Sequence, residues 1–196
     1  MKRIIILYVI LLSLFLESKA GDCFKPNCNP VEDIIWIISS YNPLDLGNGC
    51  LVSGFSIHYK KCDDGTCTFT FIPPTVPSNC SYYYSNPRQF LFDIMAAILK
   101  SLDYPCKSQR VGGCAENIEF YLSNCWKWDG PIPIDPNDPP PNLITCDANG
   151  CCQIVWQVCK TSDGPPPVYT ATPVIEQEVT SCQSNDLNCI FILCVH

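Results

Sequence analysis

The sequence predicts an α+β fold: an antiparallel, hairpin-rich scaffold with one or two helices, crosslinked by disulfides. Three observations carry this prediction. All 16 cysteines lie beyond residue 20. Several short segments alternate apolar and polar residues with the period of two expected of a half-buried strand. One segment, following Pro87, instead repeats its apolar residues at helical spacing: Phe90, Ile94, Ala97 and Ile98.

The cysteines read as disulfides, up to eight of them, because an even count in an exported chain implies a covalent framework. Zinc ligation is the competing reading, and its sites normally show close cysteine pairs, often completed by histidine. The chain has no C-x-x-C and only two histidines, His58 and His196. Export itself is read from the first twenty residues. Lys2 and Arg3 precede an apolar run from Ile4 to Leu16, and Ser18 and Ala20 supply the small residues of a signal-peptidase site. The apolar run falls short of the roughly 20 residues that a membrane-spanning helix needs, and no later stretch approaches that length. The expected product is a secreted chain, extracellular, cell-surface or periplasmic, that begins near Gly21.

Along that chain, Asn29-Pro30-Val31-Glu32 and Asn86-Pro87-Arg88-Gln89 share one helix-start pattern. Each places Asn at the cap, Pro at the first helical position and Glu or Gln three after the cap. They predict helices over about 30–40 and 87–102, the first with a buried strand as its alternative because its residues are largely β-branched.

Two C-x4-C pairs, Cys62/Cys67 and Cys146/Cys151, enclose turn residues, Asp63-Asp64-Gly65-Thr66 and Asp147-Ala148-Asn149-Gly150. Asp, Asn and Gly tolerate the backbone angles of tight turns. Strand-like sequence flanks both, so both read as β-hairpins stapled by Cys62–Cys67 and Cys146–Cys151. Ile118, Phe120 and Leu122 alternate as a strand, and Val168–Thr180 reads as one or two more, interrupted at Pro173. Cys151 and Cys152 are adjacent, so on a strand they face opposite ways and belong to different bridges. Cys152 shares its face with Ile154, Trp156 and Val158, the expected core side. Cys189 and Cys194 bracket an apolar strand and are expected to pair elsewhere.

Residues 131–141 (PIPIDPNDPPP) cannot continue any regular element, because proline fixes φ and lacks an N–H donor. They read as a stiff linker between an α+β cysteine-rich domain at 21–130 and an all-β cysteine-rich region at 142–196.

Charge excludes one class of partner. Beyond residue 20 there are nine basic and eighteen acidic side chains with no basic cluster, so nucleic acid is not an expected partner. No cofactor motif occurs. The serine-hydrolase elbow lacks its first glycine at Leu51-Val52-Ser53-Gly54, and His58 reads as a cross-strand or solvent-facing histidine. Glu176 and Glu178 share a strand face at about 7 Å, within the separation used by inverting glycosidases. Asp135, Asn137 and Asp138 could contact calcium, but their spacing departs from the calcium-loop pattern. Asn79-Cys80-Ser81 matches a glycosylation acceptor.

The remaining binding candidates are aromatic: Tyr82, Tyr83, Tyr84, Trp126 and Trp128. Such rings stack on glycans or anchor a protein partner, and they also build cores. Together these features point to a secreted structural, surface or recognition protein. A carboxylate-dependent hydrolase and a secreted inhibitor or effector are the alternatives.

Overall fold

The computed structural model describes residues 23–194, apart from 134–137, 139, 148 and 185. The leader expected at 1–20, Asp135, Asn137 and His196 lie outside the described residues. The elements run β1 Pro30–Ile38, β2 Leu44–Asp45, β3 Leu51–Val52, β4 Phe55–Cys62, β5 Cys67–Phe71, a 3-10 helix Ser78–Tyr84, α1 Pro87–Ser101, β6 Cys114–Ser123, β7 Cys125–Trp128, β8 Leu143–Thr145, β9 Cys151–Ser162, β10 Val168–Thr180 and β11 Ile190–Phe191. The fold is α+β and mostly strand, as the alternation predicts.

Six strands form one sheet in the order β1-β4-β5-β6-β9-β10. All neighbours are antiparallel except β5 and β6. A parallel pair needs a long crossover, usually helical, and the chain between β5 and β6 supplies it with the 3-10 helix and α1. Seven residues of α1 are buried, from Phe90 to Leu99, against Ile57, Phe69, Ile118, Phe120, Ile154 and Trp156 of the sheet's inner face. Fully burying a large apolar side chain contributes about 1.5–3 kcal/mol, so this one face supplies much of the helix's stability.

Residues 30–38 form a strand, not the first expected helix. Val31, Ile34, Ile35, Ile37 and Ile38 are β-branched, which disfavours helix and suits a pleated surface. β4 offers them a complete antiparallel partner. The second helix of the fold is instead the 3-10 helix at Ser78–Tyr84. α1 begins at Pro87 as predicted, but Asn86 does not cap it. Its side-chain amide donates to Tyr82 O and Ser85 Oγ, and Gln89 donates to Asp93 Oδ1.

The hairpin β4–β5 is present with the expected turn, but its staple is not. Lys61, not Cys62, lies opposite Cys67. That offset of one residue sends the two cysteines to opposite faces. Cys67 bonds Cys106 on the core side, and Cys62 bonds Cys28 on the outer face. The second hairpin does not form. Both edges of β9 are taken by β6 and β10, so β8 pairs with β7 instead. Cys146 bonds Cys189 and Cys151 bonds Cys23. As adjacency predicts, Cys152 enters a different bridge, to Cys194. The others are Cys50–Cys80, Cys114–Cys159 and Cys125–Cys182, so all 16 cysteines are paired.

Cys23 to Cys28 therefore form a strap across the outer face of the sheet, bonded at one end to β9 and at the other to β4. Phe24 packs edge-on to His58 with its ring under Lys60 Nζ, and Lys25 donates to Asp64 and Thr66. The strap explains why Thr66 and Thr68, on a strand end whose outer face would otherwise be wet, are buried.

The proline-rich stretch is not a boundary between separate cores. β6 and β9, from opposite sides of it, pair within one sheet, and β7 and β8, which flank it, pair antiparallel. Leu143, Ile154, Trp156 and Ile192 belong to the same buried cluster as Phe55, Phe69 and Phe120.

Candidate functional site

Between α1, β10 and the chain around β11 lies a cleft of about 1020 Å³. Its apolar lining comes from Phe92 and Ala96 of α1, Ala171 and Pro173 of β10, and Ile190 and Ile192. Arg88, Gln89, Asp93 and Lys100 border it along the helix. Trp156, only 2% exposed, lies behind this lining, and its indole N–H has no hydrogen-bond partner among the described residues. Arg88 sits over the ring of Phe92, 4.9 Å from its centroid.

The register of β10 builds this wall. Pro173 faces Trp156, then the pairing slips so that Ile175 faces Val155 and Glu176 faces Ile154. An extra residue in one strand reverses which face the following side chains occupy. Glu176 and Glu178 therefore turn toward the same side as Ala171 and Pro173. They do not form a free carboxylate pair. Glu176 accepts from Arg88 Nη1 at 3.0 Å and Nη2 at 2.5 Å, and also from the backbone N–H of Cys194. Glu178 accepts from Asn124 Nδ2 at 3.1 Å.

Arg88 also donates to Ile192 O at 2.8 Å, and Ile192 N–H donates to Asn124 O. With the Cys152–Cys194 bond, these contacts fasten the C-terminal segment as the third wall of the cleft.

The five aromatic candidates divide. Tyr83, Tyr84 and Trp126 are core residues, with hydroxyls or indole N–H bonded to Asp93, Val76 O and Ser123 O respectively. Burial and the adjacent Asp93 carboxylate push the Tyr83 phenol well above its ordinary pKa. Tyr82 is 48% exposed, lies 3.9 Å from the Tyr83 ring and donates at 3.4 Å to Asp93, a residue of the cleft that Tyr82 itself does not line. Trp128 is half-buried, edge-on to Tyr84, and lines a separate hollow with Lys127, Asp129 and Asn188.

The other sequence candidates have local roles. His58 bonds Asp33 across the β1–β4 pair at 2.5 Å. Asn79 is exposed, but its amide donates to Gly49 O at 2.8 Å. The sulfurs of Cys125, Cys182 and Cys189 approach within 4.8 Å of one another, and those of Cys152 and Cys194 lie as close to a Glu176 oxygen. All five belong to disulfides, so they offer no thiolate to a metal.

Arg88, Phe92, Ala171 and Ile192 were not singled out from sequence. Their signal would have been the lone arginine opening an amphipathic helix, but the partners that make it a site are 88 and 104 residues away, as the Arg88 contacts show. Among the described residues, no helix is long and apolar enough to cross a membrane. No protein-family model, no curated protein and no solved structure matches this chain.

Proposed function

We propose that this is a secreted, non-enzymatic recognition protein whose cleft beside α1 binds an extended, largely apolar segment of an extracellular protein. The observation that carries this reading is the cleft itself: an apolar lining bordered by charges of both signs, with walls fixed by a disulfide and an ion pair. Its size, about 1020 Å³, lies at the upper end of the roughly 300–1,000 Å³ typical of ligand clefts. The leader sequence and the complete pairing of cysteines support export, since disulfides persist in oxidising compartments.

Chemistry at the cleft favours binding over hydrolysis. Asp93, the carboxylate that lines the cleft, accepts from Tyr82, Tyr83 and Gln89, and Glu176 nearby is held by Arg88 and the Cys194 N–H. A general acid or base must instead be free to exchange a proton with substrate. A glycan is the weaker ligand class, because sugars stack on open aromatic faces, and the face of Phe92 is already covered by Arg88.

Panning a displayed library of random dodecapeptides against the disulfide-bonded protein tests the proposal. Enriched peptides should share apolar residues, and Ala171→Trp or Ala96→Trp should weaken their binding at least tenfold while leaving the disulfide map unchanged. Binding that both cleft-filling variants leave intact, or no enrichment over the reduced protein, would sink it.

A further inference from the structure

The two edges of the six-stranded sheet are treated differently. β10 carries Pro173 in mid-strand, three breaks in register, and Glu176 and Glu178. Each of these discourages another strand from adding to an edge. β1 gathers its own at one end, with Pro30, the register break, Glu32 and Asp33 all within its first four residues. Its only register break lies between Pro30 and Glu32, and from Glu32 to Ile38 it pairs with β4 without interruption. Residues 31–38 contain no proline, glycine or lysine. Among the described residues β1 pairs with β4 alone. Its outer row of backbone groups is thus open, and Val31, Ile34, Ile35 and Ile37 are 60%, 38%, 63% and 78% exposed. Ile34 lies on the helix side of the sheet, and Val31, Ile35 and Ile37 on the other, so both faces of the edge are apolar.

We propose that two copies of this chain associate through β1, pairing antiparallel about a two-fold axis near Ile35 so that their sheets become continuous. Charge selects this occupant. Asp33 already has partners within its own sheet, a hydrogen bond with His58 at 2.5 Å and the Lys60 ammonium at 3.9 Å, so the edge does not call for a basic partner. Glu32 stands at the start of the strand. Antiparallel pairing about the middle sets each Glu32 beside the apolar far end of the other copy, whereas parallel pairing would place Glu32 against Glu32, which is destabilising. A two-fold contact of this kind is self-complementary and closes at two copies. The obstructed β10 edge prevents further addition. The clefts beside β10 then lie at the two far ends of the joined sheet.

Salt provides a distinctive signature. Each copy carries a formal net charge of −7 over the full sequence, so the copies repel, while the contact itself is apolar. Screening, with a Debye length of about 10 Å at 0.1 M and about 3 Å at 1 M, strengthens such an association, whereas it weakens one held by opposite charges.

Sedimentation velocity on the exported, disulfide-bonded protein from 1 to 200 µM, in 50 mM and 500 mM NaCl, reads this directly. A monomer–dimer equilibrium is expected, with the dimer tighter at high salt. Ile35→Lys and Ile37→Lys should each weaken it at least tenfold, while Val174→Lys on β10 leaves it unchanged. Both β1 side chains are exposed, so the variants should retain all eight bridges by intact mass. If either fails to, protection of β1 amides from hydrogen exchange that rises with wild-type concentration decides the matter alone. A monomer throughout this range, a dimer indifferent to the β1 lysines, or open-ended assembly would overturn the proposal.

Discussion

Arg88, in the first turn of α1, holds Glu176 of β10 with both ends of its guanidinium, and the same carboxylate takes the backbone N–H of Cys194. One ion pair thus joins the helix, an edge strand and the C-terminal segment. Both side chains remain partly exposed, 45% and 20%, so a simple surface pair would be worth little. The value here lies in the fork geometry and in the third partner, since hydrogen bonds to charged groups contribute about 1.5–3 kcal/mol net.

Glu176→Ala should therefore destabilise the protein by about 1–3 kcal/mol. Its distinctive effect should be local: faster hydrogen exchange at Ile192 and Cys194, with the disulfide map unchanged. Glu176→Gln, which keeps a carbonyl for the Cys194 N–H, should retain part of that protection. Exchange at Ile192–Cys194 indistinguishable from wild type in the alanine variant would refute the assignment.

Lys107 closes the other end of the helix. It is 5% exposed, donates to Lys100 O and Leu102 O, and lies 4.0 Å from the centre of the Tyr169 ring. Burial pushes its pKa down to about 8. The unfolded chain keeps this proton up to about 10.4, so between these values the unfolded state binds more protons and stability rises with pH. Lys107→Met should lie within about 1 kcal/mol of wild type at pH 7, where losing two hydrogen bonds is offset by no longer burying a charge. By pH 9.5 the wild type should have gained on the order of 2 kcal/mol over the variant. Guanidinium unfolding of both proteins at pH 7, 8 and 9.5 checks this, and parallel pH profiles would contradict it.

The tyrosines set the opposite limit. Burial raises the phenol pKa of Tyr59, Tyr83, Tyr84, Tyr104 and Tyr121, with Asp93 adding to the effect at Tyr83 and Glu119 at Tyr121. A raised folded-state pKa contributes stability that is fully present below the unfolded value of about 10 and is lost above it. Alkaline titration at 295 nm should show these five of the nine tyrosines ionising together with loss of near-ultraviolet dichroism. A single ionisation step near pH 10 with the dichroism intact is the outcome that rules this out.

How far the sequence carries these features depends on range. Period-two alternation located β4, β5, β6 and β9, and helical spacing located α1, because each is a property of a few neighbouring residues. The strand at 30–38 is legible only as the alternative to a helix, because a helix-start pattern stands at one end of the segment while its β-branched content awaits a partner strand. Cys62 and Cys67 were misjudged by one residue of register, which no spacing rule reveals. β8 was misplaced because nothing local in Leu143-Ile144-Thr145 records that both edges of β9 are occupied. The cleft was hidden for the same reason: Arg88 is ordinary in sequence, and only the crossover brings it against Glu176 and Ile192.

The strap offers a test of how the bridges share their work. Cys23–Cys151 spans 128 residues of sequence, for which the chain-entropy estimate is about 5 kcal/mol. The other seven bridges constrain the unfolded chain too. A path through Cys28–Cys62, Cys67–Cys106 and Cys114–Cys159 already links its two ends. Along that path the loop it closes shrinks to a few tens of residues, worth roughly 3–4 kcal/mol. Replacing both cysteines by serine should therefore lower stability by the smaller amount in guanidinium unfolding. The loss should fall mainly on the strap, with faster hydrogen exchange from Phe24 to Cys28 and at Thr66 and Thr68, which the strap covers. A loss near 5 kcal/mol would mean that the remaining bridges do not restrict the unfolded chain. No loss at all would mean that the Lys25 and Phe24 contacts hold the strap without its bond.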